Sequence, residues 1–217
     1  MKSIGLLIFI LFGCLSAGFS QLSSGYVRFE LNYDVSELSS EERVLLPSAA
    51  ELWFREGLLK MELPLSAGMK SSVLVKGGET VVLMDLMGNK MALRSSRKGV
   101  DAKVKYRKNH STIVDSAFQR RIAGYNCSKA TMNLKDGDTR EVWFTRGINA
   151  SGSWFFNLGE IPGFPMEFSL TSFGIEMRMT AAQVRTEDVS LSLFEVPAGY
   201  RDVSGDDFNK MLGGAVR

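Results

Sequence analysis

Residues 21–217 read as one mainly β domain, an antiparallel sheet with a few short helices, behind a signal peptide over residues 1–20. Two observations predict this fold class. Apolar residues recur with a period of two rather than at helical spacing, as in strands with one buried face. Turn signals arrive about every 8 to 15 residues with no long amphipathic segment between them, which describes a meander.

The first strand shows the period plainly: Tyr26, Arg28, Glu30 and Asn32 alternate with Val27, Phe29, Leu31 and Tyr33. Ser39-Ser40-Glu41-Glu42, followed by Arg43 and Val44, starts a short helical turn that Pro47 ends. Strands over 52–54 and 58–63 come next, separated by Arg55-Glu56-Gly57; in the second, Leu59, Met61 and Leu63 alternate with Lys60 and Glu62. Gly77-Gly78 joins 73–75 to 81–86, since two glycines accept the positive φ angles of a tight hairpin. Gly88-Asn89 precedes a strand over 91–93, and Asp136-Gly137 joins 130–134 to 142–145. Residues 146–165 break the rhythm. Here glycines and prolines surround Trp154-Phe155-Phe156, a long loop whose aromatic bulk must settle on something. Two more strands carry Met166, Phe168 and Leu170, then Ile175, Met177 and Met179. Ser204 with Asp207 three residues on caps a closing helix, and Phe208, Met211 and Leu212 give it one apolar side.

The start of the chain is built for export. Met1-Lys2 supplies a positive end, an apolar run follows from Ile4 to Phe12, and Gly18 and Ser20 suit a signal peptidase that cuts before Gln21. The apolar run is shorter than the roughly 20 residues of a membrane-spanning helix. Leu11-Phe12-Gly13-Cys14 partly matches a lipoprotein signal, so a lipid anchor on Cys14 is the alternative to a free periplasmic or extracellular protein. The whole chain has 26 Lys and Arg against 24 Asp and Glu, and the signal removes only Lys2. A balance so near zero gives no case for nucleic acid. Cys127 is the one thiol left after cleavage, so the core holds without an internal disulfide.

Catalytic chemistry finds no foothold in the residues. His110 is the single histidine, and its neighbours Ser111 and Asp115 are too close along the chain to build a triad with it. Zinc lacks its usual ligand set, and the acidic stretch from Asp136 to Glu141 misses the EF-hand spacing. No enzyme activity and no cofactor are therefore expected. Methionine is the compositional oddity, with eleven residues. Core filling is the plain reading, a flexible apolar pocket the second, and thioether binding of Cu(I) the third.

Several segments together resemble the domain of unknown function 4412 family of exported bacterial proteins. They are 51–62, from Glu51-Leu52-Trp53-Phe54 to Lys60-Met61-Glu62; 81–91; Ile122-Ala123-Gly124-Tyr125-Asn126-Cys127; Glu141-Val142-Trp143-Phe144-Thr145; and 192–200, from Ser192-Leu193-Phe194 to Pro197-Ala198-Gly199-Tyr200. The resemblance implies a fold similar to the Lol-type periplasmic lipoprotein carriers: a strongly curved antiparallel sheet, an incomplete barrel around an apolar cavity. It implies no catalytic residues. On such a curve the apolar faces of the last two strands, Phe168 and Leu170 with Ile175, Met177 and Met179, line one concave surface. The loop bearing Trp154 and Phe155 lies beside its mouth. The expected function is a non-covalent binder of a lipid or acyl chain, partnered by a lipid or lipoprotein. The alternatives are a structural or protein-interaction module of the envelope with a filled core, and methionine-based copper handling.

Overall fold

The computed structural model describes residues 21–36, 38–96, 111–133, 139–150, 158, 161–172 and 175–207. The signal segment with Cys14, His110, the Asp136-Gly137 turn, Trp154, Phe155 and the closing helix beyond Asp207 lie outside them.

Among the described residues twelve strands form one sheet, which is curved and not closed. In chain order the first six are β1 (Ser24–Tyr33), β2 (Ala49–Arg55), β3 (Leu58–Pro64), β4 (Lys70–Lys76), β5 (Glu79–Leu86) and β6 (Asn89–Ser96). The rest are β7 (Ser111–Ile122), β8 (Tyr125–Asn133), β9 (Thr139–Thr145), β10 (Phe164–Ser172), β11 (Ile175–Thr186) and the two-residue β12 (Arg201–Asp202). Across the sheet they run β12-β6-β5-β4-β3-β2-β1-β11-β10-β9-β8-β7. The chain thus makes two antiparallel meanders, one leading away from β1 and the other returning to its opposite flank.

Tight turns explain why neighbours in sequence become neighbours in the sheet. Four hairpins have two-residue connections with both central residues at positive φ: Glu56-Gly57, Gly77-Gly78, Met87-Gly88 and Ala123-Gly124. Such turns match the twist of the strands they join. The β5–β6 turn therefore falls one residue earlier than the Gly88-Asn89 reading, and Asn89 already pairs with Leu86. Asp85 holds it by accepting a hydrogen bond from the Gly88 N–H at 2.8 Å. The segment 122–127, read as one continuous motif, is a hairpin turn with a strand on either side. β7 is not legible as a strand in the sequence. Its pairing with β8 is broken between Asp115 and Gln119, where residues 116–118 bulge out, and Ile113, Val114 and Phe118 stay exposed. Pro165, placed by sequence in the long loop, belongs to β10 at a register shift where a residue without an N–H is tolerated.

The short helix α1 (Ser40–Leu45) forms where the capping residues predict. The Ser39 hydroxyl accepts from the Glu42 N–H at 3.2 Å and the Glu42 carboxylate accepts from the Ser39 N–H at 2.8 Å. At the other end of the chain, Ser204 caps 205–207 by accepting from the Asp207 N–H at 3.1 Å.

The two faces of the sheet are covered differently. The main apolar cluster fills the inner face, contributed by β1–β4 and β7–β11 together with Ile148, Leu158 and Ile161. On the outer face Leu74, Val81, Leu83 and Ala92 are covered by the segment after β11, through Val196 and Tyr200. That segment turns through a 3-10 helix at Leu191–Phe194 and is tied down by Lys76–Glu195 and Arg94–Asp202 ion pairs. Tyr26 is 4 % exposed because Trp53 and the Arg185 guanidinium lie against its ring, the latter at 4.3 Å.

Glu167 is the charged residue most deeply set in the outer face, at 7 % exposure. Its carboxylate accepts from Arg120 at 2.6 Å and from Arg178, while the Arg120 guanidinium stacks on Trp143 at 4.5 Å. Burial pushes the carboxyl up, but the two guanidiniums outweigh it and hold it below the usual 4.5. A carboxyl with a depressed folded value stabilises the fold above its unfolded pKa, and that contribution is lost as pH falls through the folded value. Glu167→Gln should cost about 1–2 kcal/mol near pH 7, since both arginines can turn to water. At an acid pH below the folded value, where the carboxyl is protonated, the variant and parent should converge. Urea denaturation at the two pH values checks this; an equal gap at both would show that charge is not the cause.

Candidate functional site: the inner apolar face

Residues directly opposite on neighbouring strands point to the same face. Register therefore fixes which predicted site residues meet. Leu31 of β1 faces Met179 of β11, which faces Phe168 of β10. One step along, Tyr33, Met177 and Leu170 form the next row, and Ile175 opposite Ser172 lies at the end of the β10–β11 pair. Pairing thus brings Phe168, Leu170, Ile175, Met177 and Met179 onto one surface. Trp154 and Phe155 lie outside the described residues.

Burial along this surface is graded. Met179 and Phe168 are 0 % and 1 % exposed, Met177 is 8 %, and Leu170 and Ile175 are half-buried. Phe168 meets the Phe29 ring edge-on at 5.9 Å, and Phe29 and Phe54 both approach Phe164. At the shallow end the Tyr33 hydroxyl donates to the Pro47 carbonyl at 2.9 Å, and burial pushes its pKa up to about 12. Tyr33 therefore stays a neutral, hydrogen-bonded pillar on the rim.

Sequence reasoning missed a second stretch of the same face. Without any register shift, Leu52 faces Met61, Met61 faces Val73, Val73 faces Val82, and Val82 faces Leu93. Val73, Val82 and Leu93 are half-buried, while Met84 and Met91 beside them are 9 % and 1 % exposed. The available signal was the alternation of Val73 and Val75, then of Val82 and Met84, but period two alone does not say which of the two faces is inner.

The methionines are dispersed through this interior. Met61, Met132, Met166, Met177 and Met179 belong to the main cluster, Met84 and Met91 to a smaller one, and Met87 is exposed in a turn. Cys127 is 1 % exposed, and burial pushes its thiol up to about 11, so it stays protonated near neutrality as a small apolar group. Among the described residues no helix is long and apolar enough to cross a membrane.

The fold and this face define an open, curved antiparallel sheet with one largely buried apolar side. Solved structures with some likeness include an uncharacterized conserved protein from Thermus thermophilus, at 8 % identity over 84 % of this chain and 91 % of that one, TM-score 0.49. Another is the Mycobacterium tuberculosis lipoprotein LppX, at 15 % identity over 78 % and 90 % of the two chains, TM-score 0.40. A third is the Pseudomonas aeruginosa MucA/MucB complex, at 14 % identity over 81 % of this chain and 56 % of that chain, TM-score 0.43. At these scores the likenesses assign no ligand or partner to this chain. No protein-family model and no curated protein matches the sequence.

Proposed function

We propose that this is an exported, non-catalytic protein that binds a hydrophobic ligand, a lipid or an acyl chain, by burial against the inner face of its sheet. The observation that carries this reading is the graded apolar surface, closed at Met179 and Phe168 and half-buried along Val73, Val82 and Leu93 and at Leu170 and Ile175. An unclosed sheet covers such a face with its own chain or with a ligand, because large bare apolar surfaces are rare. The Lys2–Ser20 signal supports a periplasmic or extracellular place of work after cleavage near Gln21, with acylation of Cys14 as the tethered variant. The resemblance to the domain of unknown function 4412 family supports the same setting, and a lipid or lipoprotein is the matching partner.

One observation favours a second reading, a structural or protein-interaction module of the envelope. Phe168 and Met179 leave almost no surface for a ligand at the deep end. A fatty acid or hydrophobic fluorophore separates the two. Under the binding reading the parent takes up the probe, and Met177→Trp or Val82→Trp weakens uptake without lowering the melting temperature. A filled core predicts no uptake and a loss of about 1–3 kcal/mol from overpacking in the Met177→Trp variant; that result would overturn the binding reading.

A further inference from the structure

A second concavity lies away from the graded apolar face. A cleft of ≈ 1170 Å³ opens where the N-terminal segment Gln21–Ser24, the β7–β8 turn, the end of β9 and the residues after β11 converge. Its walls are charged in an uneven way. Glu187 and Asp188 line one side, but each already has a cation: Asp188 is 2.7 Å from Arg55 and Glu187 is 3.9 Å from Arg185. Arg121 and Arg146 line the cleft too, and neither has an acidic partner among the described residues. Arg121 spends one donor, its Nε–H, on the Gly124 carbonyl at 3.1 Å. Each carboxylate thus has an arginine of its own outside the lining, and Arg121 and Arg146 are the lining charges left without an opposite partner among the described residues.

The cleft is also anchored and partly apolar. Leu22 is held by backbone hydrogen bonds in both directions, its N–H to Gly147 and its carbonyl from Asn149, each at 2.9 Å. The Gln21 amide donates to the Arg146 carbonyl at 2.9 Å, which fixes the backbone beneath one of the two arginines. Leu22 and Tyr125 rest on the main core cluster, so their other surfaces give the cleft a firm apolar wall. Gly147 is needed there: a Cβ at that position would stand 3.0 Å from the Tyr125 ring.

We infer that this cleft is a binding site for an anionic group, a phosphate or carboxylate, carried on a small apolar body that lies against Leu22 and Tyr125. Guanidinium forks match the paired oxygens of either group, and two of them in one recess give both charge and orientation. The cleft is open and larger than an inorganic ion fills, which leaves room for an apolar body beside the anion. The site is independent of the inner-face reading, because none of the Phe168, Leu170, Met177 and Val82 surface lines it.

Calorimetric titration of the whole mature protein tests the assignment with three probes: dihexanoyl phosphatidic acid, dihexanoyl phosphatidylcholine and inorganic phosphate. The anionic amphiphile should bind saturably, with affinity falling as salt rises. Arg121→Gln and Arg146→Gln should each weaken it about tenfold or more, the loss of one charge-assisted contact, and the double variant should abolish it. Both side chains are exposed, so melting temperatures should stay put. Asp188→Asn frees Arg55 and should hold or tighten binding. Preference for the phosphatidic acid over phosphate upholds an anion carried on an apolar body, and equal affinity for the two overturns it. No saturable binding of either anion, equal binding of phosphatidylcholine, weakening by Asp188→Asn, or an unaffected double variant overturns it. Met177→Trp should leave this binding untouched, which keeps failure here separate from failure of the inner-face reading.

Discussion

Phe29→Ala should cost about 3–5 kcal/mol of folding free energy, at the upper end of large-to-small core changes. The reason lies in its neighbours. Phe29 is 0 % exposed on β1, the central strand, and the residues opposite it on both flanks are alanines, Ala50 on β2 and Ala181 on β11. Two methyl-sized neighbours make room for one ring, and when the ring goes neither can reach into the space. Phe164 and Phe168, with ring centroids at 6.4 Å and 5.9 Å, lose their common partner as well. Equilibrium denaturation should show a lower midpoint with an unchanged slope. A loss under about 1.5 kcal/mol would mean that the interior around Phe29 closes up or is already loose.

Gly163→Ala should cost about 1–3 kcal/mol, although it adds one methyl group. Gly163 lies just before β10, where Phe164 pairs with Thr145. A Cβ there would overlap the Thr145 carbonyl oxygen and stand 2.8 Å from Cδ2 of Phe144 and 3.0 Å from the Thr145 carbonyl carbon. Two of those three atoms are backbone, so relief requires β9 and β10 to separate. Gly57 makes the contrast: it has φ +84° and nothing within 4 Å of where a methyl group would stand, so its demand is conformational. Asparagine, which tolerates that conformation, should serve at 57 and fail at 163. Thermal melts of the three variants decide it, and equal losses for Gly163→Asn and Gly57→Asn would remove the close-approach explanation.

The parts of the fold that the sequence disclosed are those fixed by near neighbours. Alternation along β1, the Gly77-Gly78 turn and the Ser39–Glu42 cap each depend on residues within a few positions of one another, and each formed as read. What stayed hidden depends on contacts between distant segments. The β7 bulge masks its period, and the outer-face cover over Leu74, Val81, Leu83 and Ala92 comes from residues more than a hundred positions away. The candidate site divides along the same line. Phe168, Leu170, Ile175, Met177 and Met179 lie on adjacent strands joined in sequence, so their shared face could be read directly. The row from Leu52 through Met61, Val73 and Val82 to Leu93 needed four strand registers to reveal it, and the arginine cleft needed the N-terminal segment to be seated beside the end of β9.

The position of β1 in the middle of the sheet has a consequence for how the protein is made. Of the described strands β1 is synthesised first, and β2 follows at once to satisfy one of its edges. Its other edge waits for β11, with pairs such as Gly25–Thr186 and Tyr33–Met177 spanning most of the chain. Each meander can zip by local hairpins, which are fast, but the seam between them closes a very long loop and comes late. Until then the nascent chain carries an open strand edge beside Val27, Phe29 and Leu31, the arrangement most prone to pair with a stranger. A chain so wired gains from whatever keeps that edge unpaired until its own last third has arrived, since before then any neighbour can take it.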